Sequence, residues 1–176
     1  MLTWSLLLAA VLQTNASPVP GQIGAFYFET LNESQVWVDL LPEATEPGPR
    51  PVLLNVTVRF KGRRSASAPA VADIRAISVP NAFPLRLRQP ILRLVTSDGR
   101  EHDLTGPGRV SRFTASCEDC QLDTLTTRLA FDELREIAQS PQVTMNAMGF
   151  EMRLTPADLR ALGALIDAVS DGAAIR

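Results

Sequence analysis

The sequence predicts a mainly β protein: an antiparallel β-sandwich with a helix–β-hairpin–helix element at its C-terminal end. Three observations carry that expectation. Short runs of alternating apolar and polar residues recur between positions 35 and 104, the period that buries one face of a strand and wets the other. Clusters of Pro, Gly, Ser and Asp separate these runs at the spacing of an all-β domain. Past about residue 122 helical spacing enters, with cap residues beside it. A chain of 176 residues, 45% hydrophobic and 20% charged, can bury the core such a fold needs and suits one sizeable domain.

The first sixteen residues read as a secretory signal peptide. Residues 4–12 form an apolar run too short to span a bilayer, and Thr14 and Ala16 place small residues three before and directly before a break after Ala16. No Lys or Arg precedes the run, which departs from the usual pattern. Export leaves residues 17–176 as a single domain with a candidate sub-boundary near 106–121. No later stretch reaches 18 uninterrupted apolar residues, so the mature chain is expected to lack a transmembrane span. Sixteen Arg against the single Lys61 suit a GC-rich bacterial genome, where export means the periplasm or secretion. The sequons at Asn15, Asn32 and Asn55 carry no weight under that reading.

Along the mature chain, residues 35–40 put Val36, Val38 and Leu40 on one face and Trp37 on the other. Residues 54–60 alternate with Leu54, Val56, Val58 and Phe60 on one side. The stretch 42–51 between them holds Pro42, Pro47, Pro49 and Pro51 and reads as loop. A second loop, 62–72, precedes a strand at 74–79. Residues 91–95 and 101–104 flank Ser97-Asp98-Gly99, a strong hairpin signal. Residues 122–129 form a threonine-rich strand with no obvious inward face. A short helix over 132–139 stops at Pro141, and a hairpin turns at Met148-Gly149. The last helix begins with Thr155 as N-cap and Pro156 at its first position, carries Leu159, Leu162, Leu165, Ile166 and Val169 as one stripe, and stops at Gly172. With aromatics at 6%, the core is expected to rest on aliphatic side chains.

Composition and motifs narrow the function. A net charge of −2 offers nucleic acid no electrostatic reason to bind, and aromatics are not interleaved with the Arg residues. The one CxxC, Cys117-Glu118-Asp119-Cys120, is expected to form a structural disulfide after export. Its acidic interior disfavours the thiolates that a thiol–disulfide oxidoreductase would need, though that enzyme remains the first rival reading. A single His leaves a His/Cys metal site without enough ligands, and no cofactor motif occurs, so no metal or cofactor is expected. His102, between Glu101 and Asp103, reads as a solvated strand position. A carboxylate-dependent hydrolase is the second rival, because 19 Asp and Glu permit many pairs while spacing selects none.

Two basic groups remain. Arg59, Lys61, Arg63 and Arg64 run off one strand end, and Arg86 and Arg88 share a strand face. Brought together they would receive an anionic surface such as a lipid head group, polysaccharide or acidic protein. Left apart they are a solvated face or a charged guard on an edge strand. The resulting expectation is an exported, non-catalytic binding or envelope-associated module whose partner is an anionic envelope component or another protein.

Overall fold

The computed structural model describes residues 19–45, 52–65, 69–78, 91–105, 110–117 and 120–170, with the side chains of 115–117 and 120–122 left aside. The expected signal peptide, the Arg86 and Arg88 pair and the Gly172 stop lie outside these residues. The strands are β1 (Ile23–Phe28), β2 (Glu33–Leu40), β3 (Glu43–Ala44), β4 (Val52–Lys61), β5 (Val71–Ser78), β6 (Leu92–Thr96), β7 (Glu101–Asp103), β8 (Ser111–Cys117) and β9 (Cys120–Ala130). Helix α1 (Phe131–Gln139), strands β10 (Val143–Ala147) and β11 (Phe150–Leu154), and helix α2 (Pro156–Ser170) follow. The fold is mainly β, and the described residues form two antiparallel sheets and two α-helices, the second of them C-terminal.

The larger sheet runs β1-β2-β4-β5-β9-β8 and the smaller β3-β11-β10-β6-β7. Alternation sets what each face carries. Val36, Val38, Leu40, Val52, Leu54, Val56, Val58, Ala72, Ile74, Ala76, Leu125 and Leu129 turn inward from the larger sheet and are buried. Leu92, Leu94, Val143, Met145, Ala147, Met152 and Leu154 do the same from the smaller one. The helices add Phe131, Leu134 and Ile137 from α1 and the expected stripe from α2, and all join one core cluster. Phe131 is the one fully buried aromatic among the described residues, so the core is aliphatic as composition implied.

Helix α2 packs across β2 and against α1, so its stripe docks on the sheet. Its start is a capping box in which the Asp158 amide donates to Thr155 Oγ1 at 3.1 Å and the Thr155 amide donates to Asp158 Oδ2 at 2.8 Å. At the β10–β11 turn Met148 and Gly149 both have positive φ, +58° and +84°, the geometry of a two-residue hairpin.

Four expectations are corrected. The stretch 42–51 is not all loop, because β3 pairs with Met152 and Arg153 at the sheet edge. The strand at 74–79 begins earlier, at Val71. The threonine-rich strand does have an inward face: Leu125 and Leu129 are buried with Thr127, whose hydroxyl is satisfied by the Leu104 carbonyl at 3.2 Å. His102 is buried rather than solvated, for β7 register sets it opposite Leu94 and sends Glu101 and Asp103 outward. Besides β3, two strands went unanticipated, β1 and β8, which are the two edges of the larger sheet. An edge strand lacks a partner on one side, and β1 leaves Ile23, Phe26 and Phe28 exposed, so apolar alternation there does not mark a core face.

Candidate functional site

The outer face of the larger sheet carries a row-by-row polar lattice. Thr57, Asp73 and Arg128 are register partners on β4, β5 and β9, and Asn55, Arg75, Thr126 and Ser111 form the next row. Above these rows lies an open groove of about 680 Å³, lined by Arg59, Val71, Asp73, Arg75, Ser111, Thr126, Arg128 and Glu133 among others. Asp73 sits between two guanidiniums. Its Oδ2 accepts from Arg59 Nη1 at 3.0 Å and its Oδ1 from Arg128 Nε at 3.3 Å. Both Arg side chains are well exposed, at 39% and 75%, so each pair contributes only about 0.2–1 kcal/mol and can be exchanged for a ligand anion at little cost. The Arg75 guanidinium has no hydrogen-bond or ion-pair partner among the described residues. Glu133, at the groove margin, is committed elsewhere: its Oε2 accepts from the Ala130 amide at 3.2 Å at the start of α1.

The basic residues singled out in the sequence are not gathered into one surface. Arg59 lines the groove, joined there by Arg75 and Arg128. Lys61 turns to Glu33 at 3.6 Å, and Arg63 pairs with Glu29 at 3.0 Å while lying 4.2 Å over the Tyr27 ring. Arg64 is exposed and does not line the groove. The groove was hidden in the sequence because its three Arg residues lie on three strands. The one available signal was that Arg75 and Arg128 alternate outward between buried residues.

A second cleft of about 310 Å³ opens between the β6–β7 turn and α1, lined by Thr96, Asp98, Arg100, His102, Glu136 and Ser140 among others. The Thr96 hydroxyl and the Arg100 amide, both donating to Asp98, hold its carboxyl below the usual carboxylate range. Glu136 pairs with Arg100 and holds that guanidinium's pKa up. A general acid needs a raised carboxyl pKa, and Asp98 is shifted the other way. His102 has 3% of its side chain exposed, with Nδ1 3.7 Å from Glu133 Oε1 and a buried Nε2 that meets no partner among the described residues. No group of three or more His, Cys, Asp and Glu that could hold a metal occurs among the described residues.

Cys117 ends β8, Cys120 begins β9, and the two are direct register partners. A strand pair supplies no helix N-terminus, the feature that stabilises a thiolate in redox-active CxxC sites. Among the described residues no helix is long and apolar enough to cross a membrane.

No family model, characterised protein or solved structure matches this chain. The functional reading therefore rests on the groove and on the sheet face around it.

Proposed function

We propose that this protein is an exported, non-catalytic binding module that receives an anionic ligand in the groove over β4, β5 and β9. The observation that carries this reading is Arg75. It is an exposed guanidinium in a groove, without a partner among the described residues, flanked by Arg59 and Arg128 that share one carboxylate. Three permanent charges against the carboxylates of Asp73 and Glu133 leave the groove cationic and favour a carboxylate, sulfate or phosphate group, which the planar guanidinium grips with two parallel hydrogen bonds. Cys117 and Cys120 then serve as a structural disulfide, since directly opposed residues in an antiparallel pair stand about 4.5–5.5 Å apart at Cα, within disulfide reach.

The test is calorimetric titration of the full chain with tripolyphosphate, a compact polyanion, at low and moderate salt. Binding should weaken with salt, and Arg75→Gln should lower affinity at least about fivefold. Arg64→Gln, outside the groove, should leave it unchanged. Absence of binding at low salt, or equal loss from both variants, would overturn the reading.

A further inference from the structure

The groove is one end of a longer surface, and its other end is aromatic. Gly24, Trp37, Thr57, Asp73 and Arg128 are successive register partners across β1, β2, β4, β5 and β9. Four strand spacings make that row about 19 Å long. At its β1 end, a Cβ on Gly24 would stand 2.4 Å from both Cε2 and Cζ2 of Trp37 and 2.9 Å from Nε1. The indole therefore lies across the backbone of β1, an approach that only glycine permits. Trp37 is half-buried, and its Nε1–H has no partner among the described residues. Phe26 and Phe28 share the face of Gly24 by alternation, are 36% and 37% exposed, and meet edge-to-face with ring centroids 4.6 Å apart. Between the aromatic and cationic ends, Thr57, 2% exposed, donates to Asn55 and Asn55 to Asp39, 7% exposed, a hydrogen-bonded floor in which Asn55 alone of the three is part-exposed.

Resting on the groove reading, we infer that the ligand is an acidic polysaccharide laid across the strands, stacked on Trp37 and the two phenylalanines and held by a uronate or sulfate at Arg75. A sugar ring offers an apolar C–H face to an aromatic ring and pairs of neighbouring hydroxyls to carboxylate, amide and guanidinium groups. The face supplies aromatic rings at its β1 end and exposed guanidiniums at its other end, a separation that several rings would span over the buried Thr57 and Asp39. A bilayer suits it less, because Asn55, Thr57 and Asp73 separate the aromatic side chains of the β1 end from the arginines, a polar strip with nothing to enter an acyl layer.

Trp4 falls in the expected signal peptide, so in the mature chain 17–176 fluorescence reports on Trp37 alone. That protein is titrated with hexagalacturonate, a heparin hexasaccharide, tripolyphosphate and phosphatidylglycerol vesicles. At least one saccharide should bind and shift the emission. Changing the exposed pair, Phe26→Ser with Phe28→Ser, should weaken saccharide binding by about tenfold or more and leave tripolyphosphate binding and the circular dichroism spectrum unchanged. Tripolyphosphate binding without either saccharide overturns the polysaccharide inference and leaves the anion groove standing, as does saccharide binding indifferent to the phenylalanines. Vesicle binding that needs the phenylalanines, in place of saccharide binding, makes the face a membrane surface and overturns it too. Binding of no probe removes both readings.

Discussion

The Asp158 carboxylate joins the start of α2 to the end of β2. Its Oδ1 accepts the Leu41 amide at 3.1 Å across a separation of 117 residues, while its Oδ2 accepts the amide and hydroxyl of Thr155, both at 2.8 Å. A residue chosen by the sequence as a favourable first-turn charge thus also orients the helix on the sheet, and it does so while only 6% exposed. Substituting it removes the acceptor for three donors at once. Asp158→Ala should therefore cost about 2–3 kcal/mol and Thr155→Ala about 1 kcal/mol. Chemical denaturation measures both, and equal small losses would mean that the Leu41 contact contributes nothing.

Leu162 lies mid-stripe on α2 at 1% exposure, whereas Arg160 is exposed on the opposite face. Leu162→Ala should leave a cavity and cost about 2–5 kcal/mol, and Arg160→Ala under about 0.5 kcal/mol. Urea midpoints of the two variants decide it.

Asp98 gives the β6–β7 turn a pH dependence with a definite sign. Its folded pKa is lowered by the Thr96 hydroxyl and the Arg100 amide, so its contribution to stability is complete above the unfolded carboxylate value of about 3.9 and fades as pH falls through the lower folded value. The melting temperature of the parent should therefore approach that of Asp98→Asn as pH drops from about 6 toward about 3. A gap that stays constant over that range would count against it.

His102 is a buried polar group with little to hold it. Among the described residues its Nε2, like Asn146 Oδ1, meets no partner, and its Nδ1 is 3.7 Å from Glu133, beyond a good hydrogen bond. Replacing it by an apolar residue of similar size removes an unsatisfied group, so His102→Leu should change stability by less than about 1 kcal/mol. Leu94→Ala, directly across the pair, should cost about 2–5 kcal/mol. A loss from His102→Leu as large as that from Leu94→Ala would mean that the imidazole is fully satisfied in solution.

The hairpin pairing of Cys117 with Cys120 predicts a joined pair in protein recovered from an oxidising compartment. Its intact mass should fall by two hydrogen atoms from that of the reduced chain. Changing both residues to Ser should cost no more than about 2 kcal/mol, because the loop closed is short. After reduction, alkylation against pH should show no thiol titrating near neutrality.

Elements with a buried face and a local stop signal were legible in the sequence. Residues 35–40, 54–60 and 159–169 each concentrate apolar side chains at one period, and turns such as Met148-Gly149 need backbone angles that few residues accept. Edge strands β1 and β8 were not, since burial on one side only blurs the alternation. The inward face of β9 was ambiguous because Thr127 and Asp123 occupy core-side positions, and what makes them tolerable there is bonding to Leu104 and to Arg112 and Thr114 respectively, contacts made after folding.

By itself the chain determined its class, its docked C-terminal helix with the Thr155 cap, and its aliphatic core, because hydrophobic period and capping act over one or two turns of backbone. Only the tertiary structure decided that His102 is buried, that Arg59 meets Arg75 and Arg128 over Asp73 while Lys61 and Arg63 turn to other acids, and that Trp37 lies on Gly24. These are juxtapositions across strands, and they depend on sheet order and register. Which strand lies beside which is settled by long-range burial and hydrogen-bond pairing, which no local window of residues encodes.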